Sequence, residues 1–162
     1  MPALLRIQLQ RVSPTHHAFV FERPNGTQES YPLETKTYLF HDLLHFAVET
    51  EAGLQRSFYG RLARGNSYKE LVEVDQESLS IREENGMTET IVGAMTGIVK
   101  QDLDPVRAME SLRNYLETSG LRVPDWFTVE FTLRIKERMR RLQGQWQGTP
   151  FGQTMELFFE VQ

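Results

Sequence analysis

Near the start of the chain Leu5, Ile7 and Leu9 alternate with Arg6, Gln8 and Gln10, the period of two expected of a strand with one buried face. A second β-rich run covers His16 to Glu22 and is followed by Pro24-Asn25-Gly26. Asn-Gly predicts a hairpin there, since both residues tolerate φ > 0, and a third strand from about Thr27 to Leu33. At the far end Met155, Leu157, Phe159 and Val161 alternate with Thr154, Glu156, Phe158 and Glu160. The two ends of the chain are therefore expected to meet in one sheet.

Between them the apolar positions follow helical spacing. Thr37 can cap a helix running to about Ala52, with Gly53 as its stop. Ser67-Tyr68-Lys69-Glu70 has the form of a capping box. Ile91, Val92, Met95, Ile98 and Val99 share one helical face. Asp104-Pro105 reads as an N-cap followed by proline at the first helical position, opening a helix that carries Val106, Met109, Leu112 and Leu116 and stops at Gly120. The last segment is ambiguous: Phe127 to Ile135 alternates like a strand, whereas Ile135, Met139, Leu142 and Trp146 have helical spacing. With no turn residue between the halves, one long helix from Asp125 to about Gln143 is expected, and Gly144 to Gly152 reads as a turn-rich connection with Trp146 in the core. The whole predicts a single α+β domain over 1–162, an antiparallel sheet of about four strands covered on one face by about four to five helices.

Composition narrows the chemistry. Hydrophobic residues make up 40% and charged residues 25% of 162 positions, ordinary globular usage. No cysteine is present, which excludes disulfides, thiolate metal sites and a cysteine nucleophile. Any metal must sit on His, Asp or Glu. The 18 Lys and Arg against 22 Asp and Glu, with a pI near 5.6, argue against a general nucleic-acid binder. No apolar run is long enough for a membrane span, and no basic leader precedes an apolar stretch, so a cytoplasmic protein is expected. G-x-S-x-G, H-E-x-x-H and P-loop patterns are all missing.

Two of the four histidines share the helix predicted over Thr37 to Ala52. At about 100° per residue, with Leu39 at zero, Leu39, Phe40, Leu43, Leu44, Ala47 and Val48 fall between about 0° and 180°. His41, Asp42, His45 and Glu49 form the opposite stripe. Histidines at i and i+4 can share one ion, as zinc or manganese. His41 and Glu49 are about 12 Å apart along the axis, so a site would use His41 with His45, or His45 with Glu49, plus a ligand from elsewhere. His17, on the aromatic face of its strand with Phe19 and Phe21, is the first candidate for that ligand. The plainer alternative is a solvated polar face held by weak i, i+3 and i, i+4 pairs.

The string Tyr38-Leu-Phe-His-Asp-Leu-Leu-His45 resembles two families. His41-Asp42 looks like the doublet of the HD-domain metal phosphohydrolases, an all-helical family in which an upstream His, the doublet and a downstream Asp hold divalent metal for phosphoester hydrolysis. The same string is similar to the His-Asp-x-x-His zinc motif of a ubiquinone-biosynthesis family, whose Glu twelve positions after the second His corresponds to Ser57 here.

Three further features bear on function. Arg61 and Arg64, with Gly60 and Gly65 near a helix start, could receive a substrate anion. Arg134, Arg138 and Arg141 form a basic stripe whose expected partner is the acidic stretch from Ser67 to Thr90, within the chain or across a homo-oligomer. Gly93 and Gly97 would let two helices approach closely. Two functions fit these observations: a binding, accessory or homo-oligomeric protein without recognisable catalytic machinery, with its small-molecule ligand unknown, or a divalent-metal hydrolase on the His41/His45 face.

Overall fold

A computed structural model of the chain describes residues 2–72 and 80–162. Four strands, β1 (Ala3–Arg11), β2 (His16–Glu22), β3 (Gln28–Glu34) and β4 (Thr154–Val161), form one antiparallel sheet in the order β3-β2-β1-β4. Its β1–β4 pairing, with β4 at the edge, brings the two ends of the chain together, with Leu5 opposite Phe159 and Ile7 opposite Leu157. Six helices are found among the described residues: α1 (Thr35–Ala52), α2 (Phe58–Ala63), α3 (Tyr68–Val72), α4 (Glu84–Lys100), α5 (Pro105–Glu117) and α6 (Val129–Gln147). The chain is an α+β fold with the helices on one face.

The alternation read from sequence sets the inner face: Leu5, Ile7, Leu9, Phe19, Phe21, Met155, Leu157 and Phe159 are buried. On that face α1 contacts β3 and β4, and α2 contacts β4. A second layer follows, because α4 and α6 pack on α1 and α5 packs on both. Thus α1 lies between the sheet and other helices, and a helix so enclosed has little solvent face to offer.

Three local expectations change. The hairpin after β2 closes by Gly26 N–H donating to Arg23 O at 2.9 Å, with φ of +89° at Gly26 and no positive φ at Asn25. Pro24 imposes a negative φ at the first turn position, so the three-residue loop is of the type I kind with a left-handed glycine after it. Helix α1 begins at Thr35 with Glu34 as N-cap rather than at Thr37. Helix α6 begins at Val129, not Asp125, because the Thr128 side chain accepts from Phe131 N–H at 3.1 Å, and it runs on to Gln147. Replacing Thr128 by Ala should therefore cost about 1 kcal/mol in urea denaturation. The Asp104 cap of α5 is as expected, accepting from Val106 N–H at 2.9 Å.

Candidate metal centre

The polar stripe of α1 turns inward. Asp42, His45 and Glu49 are 4%, 1% and 0% exposed, and only His41 remains partly open. Because α1 is enclosed, these side chains meet α2, α3 and α4 where a surface helix would meet water. The solvated-face reading is overturned at these three positions.

His45 is held by its Nδ1. Its Nδ1 lies 2.8 Å from Glu49 Oε2, and the other Glu49 oxygen accepts from Tyr59 N–H at 2.9 Å. An ionised carboxylate can only accept, so the Nδ1 proton faces Glu49 and Nε2 is turned the other way. There Nε2 lies 3.1 Å from Glu89 Oε1, on α4, without meeting hydrogen-bond geometry. His41 Nε2 is 4.0 Å from Glu89 Oε2, and the two imidazoles stand 4.6 Å apart between ring centres. One ligand atom from each of His41, His45 and Glu89 falls within 4.8 Å of the others. Tetrahedral zinc with bonds of about 2.0–2.1 Å separates its ligand atoms by about 3.4 Å, so a modest contraction of the cluster would seat an ion.

The charges around His45 are opposed by burial. Burial would lower its pKa, but the carboxylates of Glu49 and Glu89 win and raise it to about 10 in the metal-free protein. Burial likewise raises the Glu49 carboxyl above its ordinary range, against the His45 hydrogen bond and the backbone N–H groups of Tyr59 and Phe58. The two carboxylates on either side of His45 thus favour its protonated form.

The cluster opens into a cavity of about 160 Å³. Tyr38, Phe58 and Tyr68 wall it, Leu71 and Val72 close one side, and His41, Asp42, His45 and Glu89 supply the polar atoms. Asp42 Oδ2 is 3.4 Å from the Tyr68 hydroxyl, and the Tyr59 hydroxyl donates to Asp42 O at 2.7 Å. The Tyr68 wall is anchored from the sheet: buried Arg23 donates to Leu62 O at 2.7 Å and Asn66 O at 2.9 Å, and pairs with Glu29, which accepts from Tyr68 N–H at 3.2 Å. Burial raises the Glu29 carboxyl, but hydrogen bonds from Tyr31, Arg23 and Tyr68 N–H outweigh it and hold it below the ordinary 4.5. A carboxyl depressed on folding stabilises fully above its unfolded value and loses that contribution as pH falls through its folded value. The stability advantage of wild type over Glu29→Gln should accordingly be constant near neutrality and shrink below about pH 4.5 in denaturation series.

The remaining sequence candidates lie elsewhere. His17 is buried on the inner face, but its Nδ1 pairs with Thr35 Oγ1 at 2.9 Å and its ring meets Trp146 edge-on, outside the cluster. Glu49 braces His45 from behind. Arg61 donates to Arg56 O at 2.9 Å, and neither Arg61 nor Arg64 lines the cavity. The loop N–H groups of Gly65 and Asn66 bond to Leu62 O and Arg61 O, which leaves no anion cradle in that turn. Arg134 and Arg138 both pair with Glu51 of α1, at 3.0 and 2.8 Å. Of the acidic stretch from Ser67 to Thr90, Glu73, Asp75 and Glu77 lie outside the described residues. Gly97 gives room to Leu103, whose Cδ1 would sit 2.7 Å from an added Cβ, while Gly93 faces open space.

Glu89 was missed as a neighbour of the histidine pair because it reads as one acid among many. Its signal was position: on α4 it lies three residues from buried Gly86 and Val92, on the edge of the buried stripe.

The class this defines is an α+β domain with an i, i+4 histidine pair on a buried helix and a carboxylate from a second helix. Compared with protein-family models, curated proteins and solved structures, the chain matches none. The two resemblances of Tyr38–His45 fare as follows. The four-stranded sheet departs from the all-helical HD-domain architecture. Ser57, where the second motif has its Glu, is buried and bonds Glu84 and Thr88 at 3.0 and 2.8 Å, and the carboxylate that reaches the histidines belongs to Glu89. No helix among the described residues is long and apolar enough to cross a membrane.

Proposed function

We propose that the protein is a divalent-metal-dependent hydrolase whose ion is held by His41 Nε2, His45 Nε2 and a Glu89 carboxylate oxygen. The observation that carries the reading is the buried Glu49–His45 pair, which directs an unbonded Nε2 towards Glu89 and His41. A carboxylate behind a ligating imidazole fixes its tautomer and orientation, the arrangement that metal-bound histidines use. Two histidines and one carboxylate form a three-ligand set, which leaves the fourth position of zinc for water. Zinc lowers the pKa of such a water to about 7, making hydroxide available at neutral pH. Asp42, in the same cavity, is placed to take the proton.

Zinc added to metal-free protein tests this. At 100 times its Kd, binding contributes about 2.7 kcal/mol, an increase in Tm of roughly 5–11 °C for a chain of this length. His41→Ala/His45→Ala and Glu89→Ala should show no such rise. An equal rise in all three proteins would place the zinc elsewhere.

A further inference from the structure

Resting on that reading, we infer that the centre takes a small uncharged or cationic substrate and rejects anions. Phosphate and carboxylate substrates are held by Arg or Lys in most sites built for them, through charge-assisted and often bidentate hydrogen bonds. Among the described residues no Lys or Arg lines this cavity. Arg23, the buried guanidinium that anchors the Tyr68 segment, is engaged by Glu29 and the carbonyls of Leu62 and Asn66. Neither Arg61 nor Arg64 lines the cavity.

The charge at the centre is also of the wrong sign for an anion. Beside the two imidazoles the described side chains offer only carboxyl groups, those of Glu89, Asp42 and, behind His45, Glu49, with no Lys or Arg to balance them. In a buried site that charge is weakly screened. The walls are compatible with the sign: Tyr38, Phe58 and Tyr68 line the cavity, and aromatic rings accommodate cations and planar neutral groups. The space is small, since about 160 Å³ is below the roughly 300–1,000 Å³ of clefts that enclose drug-sized ligands.

Cobalt(II)-loaded protein allows the substrate class and the metal reading to fail separately. Three pyridines substituted at the 3-position share one ring nitrogen as donor and cannot chelate a single ion: the carboxamide is neutral, the aminomethyl compound cationic, the carboxylate anionic. Each is titrated while the visible absorption of the cobalt is followed. The neutral and cationic probes should bind at least tenfold more tightly than the carboxylate, and Asp42→Asn should narrow the gap. Equal or tighter binding of the carboxylate overturns the substrate class, as does a cobalt spectrum that none of the three perturbs. Failure of wild type to take up cobalt, with His41→Ala/His45→Ala behaving identically, overturns the metal reading itself.

Discussion

Alanine in place of Glu49 should cost about 3–5 kcal/mol in the stability of the metal-free protein, the range for breaking a buried ion pair by removing one partner. Both members are shut away from solvent, His45 at 1% and Glu49 at 0% exposure, and Glu49 also accepts from Tyr59 N–H where α2 begins. The truncation leaves a buried imidazole and a buried amide without their acceptor. Glu49→Gln keeps the shape and separates the two roles. It should cost less stability, yet reduce zinc affinity by about 10–100-fold, as removal of a carboxylate behind a ligating histidine does. Urea denaturation and metal titration on the same proteins read both effects. A loss below about 1 kcal/mol for Glu49→Ala would mean that the pair is hydrated and that His45 is not held in one orientation.

Gly60→Ala should be the most damaging single methyl group in the protein. An added Cβ would lie 1.9 Å from Gln55 O and 2.4 Å from Gln55 C, so backbone rather than a flexible side chain must move. The expected cost is about 3 kcal/mol, at the upper end of ordinary overpacking. Because α2 carries Phe58 on the cavity wall and Tyr59 against Glu49, zinc affinity should fall with stability. Gly86→Ala tests the same idea at the start of α4, where the Cβ would meet Ser80 O at 2.0 Å ahead of Glu89. Gly93→Ala is the control. It faces open space in the interior of the same helix, and alanine there should stabilise by up to about 1 kcal/mol in thermal denaturation.

The strands were legible because each has one buried face, and period-two alternation records that directly: Leu5, Ile7 and Leu9 are buried where alternation put them. Helix α5 was legible for a similar reason, with a cap and a proline marking its start. The failures have a common physical origin in tertiary enclosure. Polar residues on a helix imply water only if nothing packs over them, and α4 packs over the polar stripe of α1. Asp42, His45 and Glu49 were therefore expected outside and are found inside. The start of α6 was misplaced because Trp126 and Phe127 continue the apolar run, although they stack on Phe131 from a turn rather than from the helix. For the site, His41 and His45 could be paired from their spacing alone. Glu89, on another element, becomes adjacent only when α4 docks on α1. Arg61 and Arg64 do not line the cavity of the histidine pair, and a loop's glycines and arginines do not reveal in sequence which way its N–H groups turn.

The central claim, that these three side chains hold an ion, is tested most directly by elemental analysis of protein purified without an affinity tag. The account predicts close to one equivalent of zinc or manganese per chain, lost in His41→Ala/His45→Ala and in Glu89→Ala. Iron in that place would retain the centre but contradict hydrolysis, since two histidines and a carboxylate also serve non-haem iron oxygenases. Metal-free wild type that also fails to bind added zinc would contradict the account at its root, leaving His45 as a protonated cation between Glu49 and Glu89.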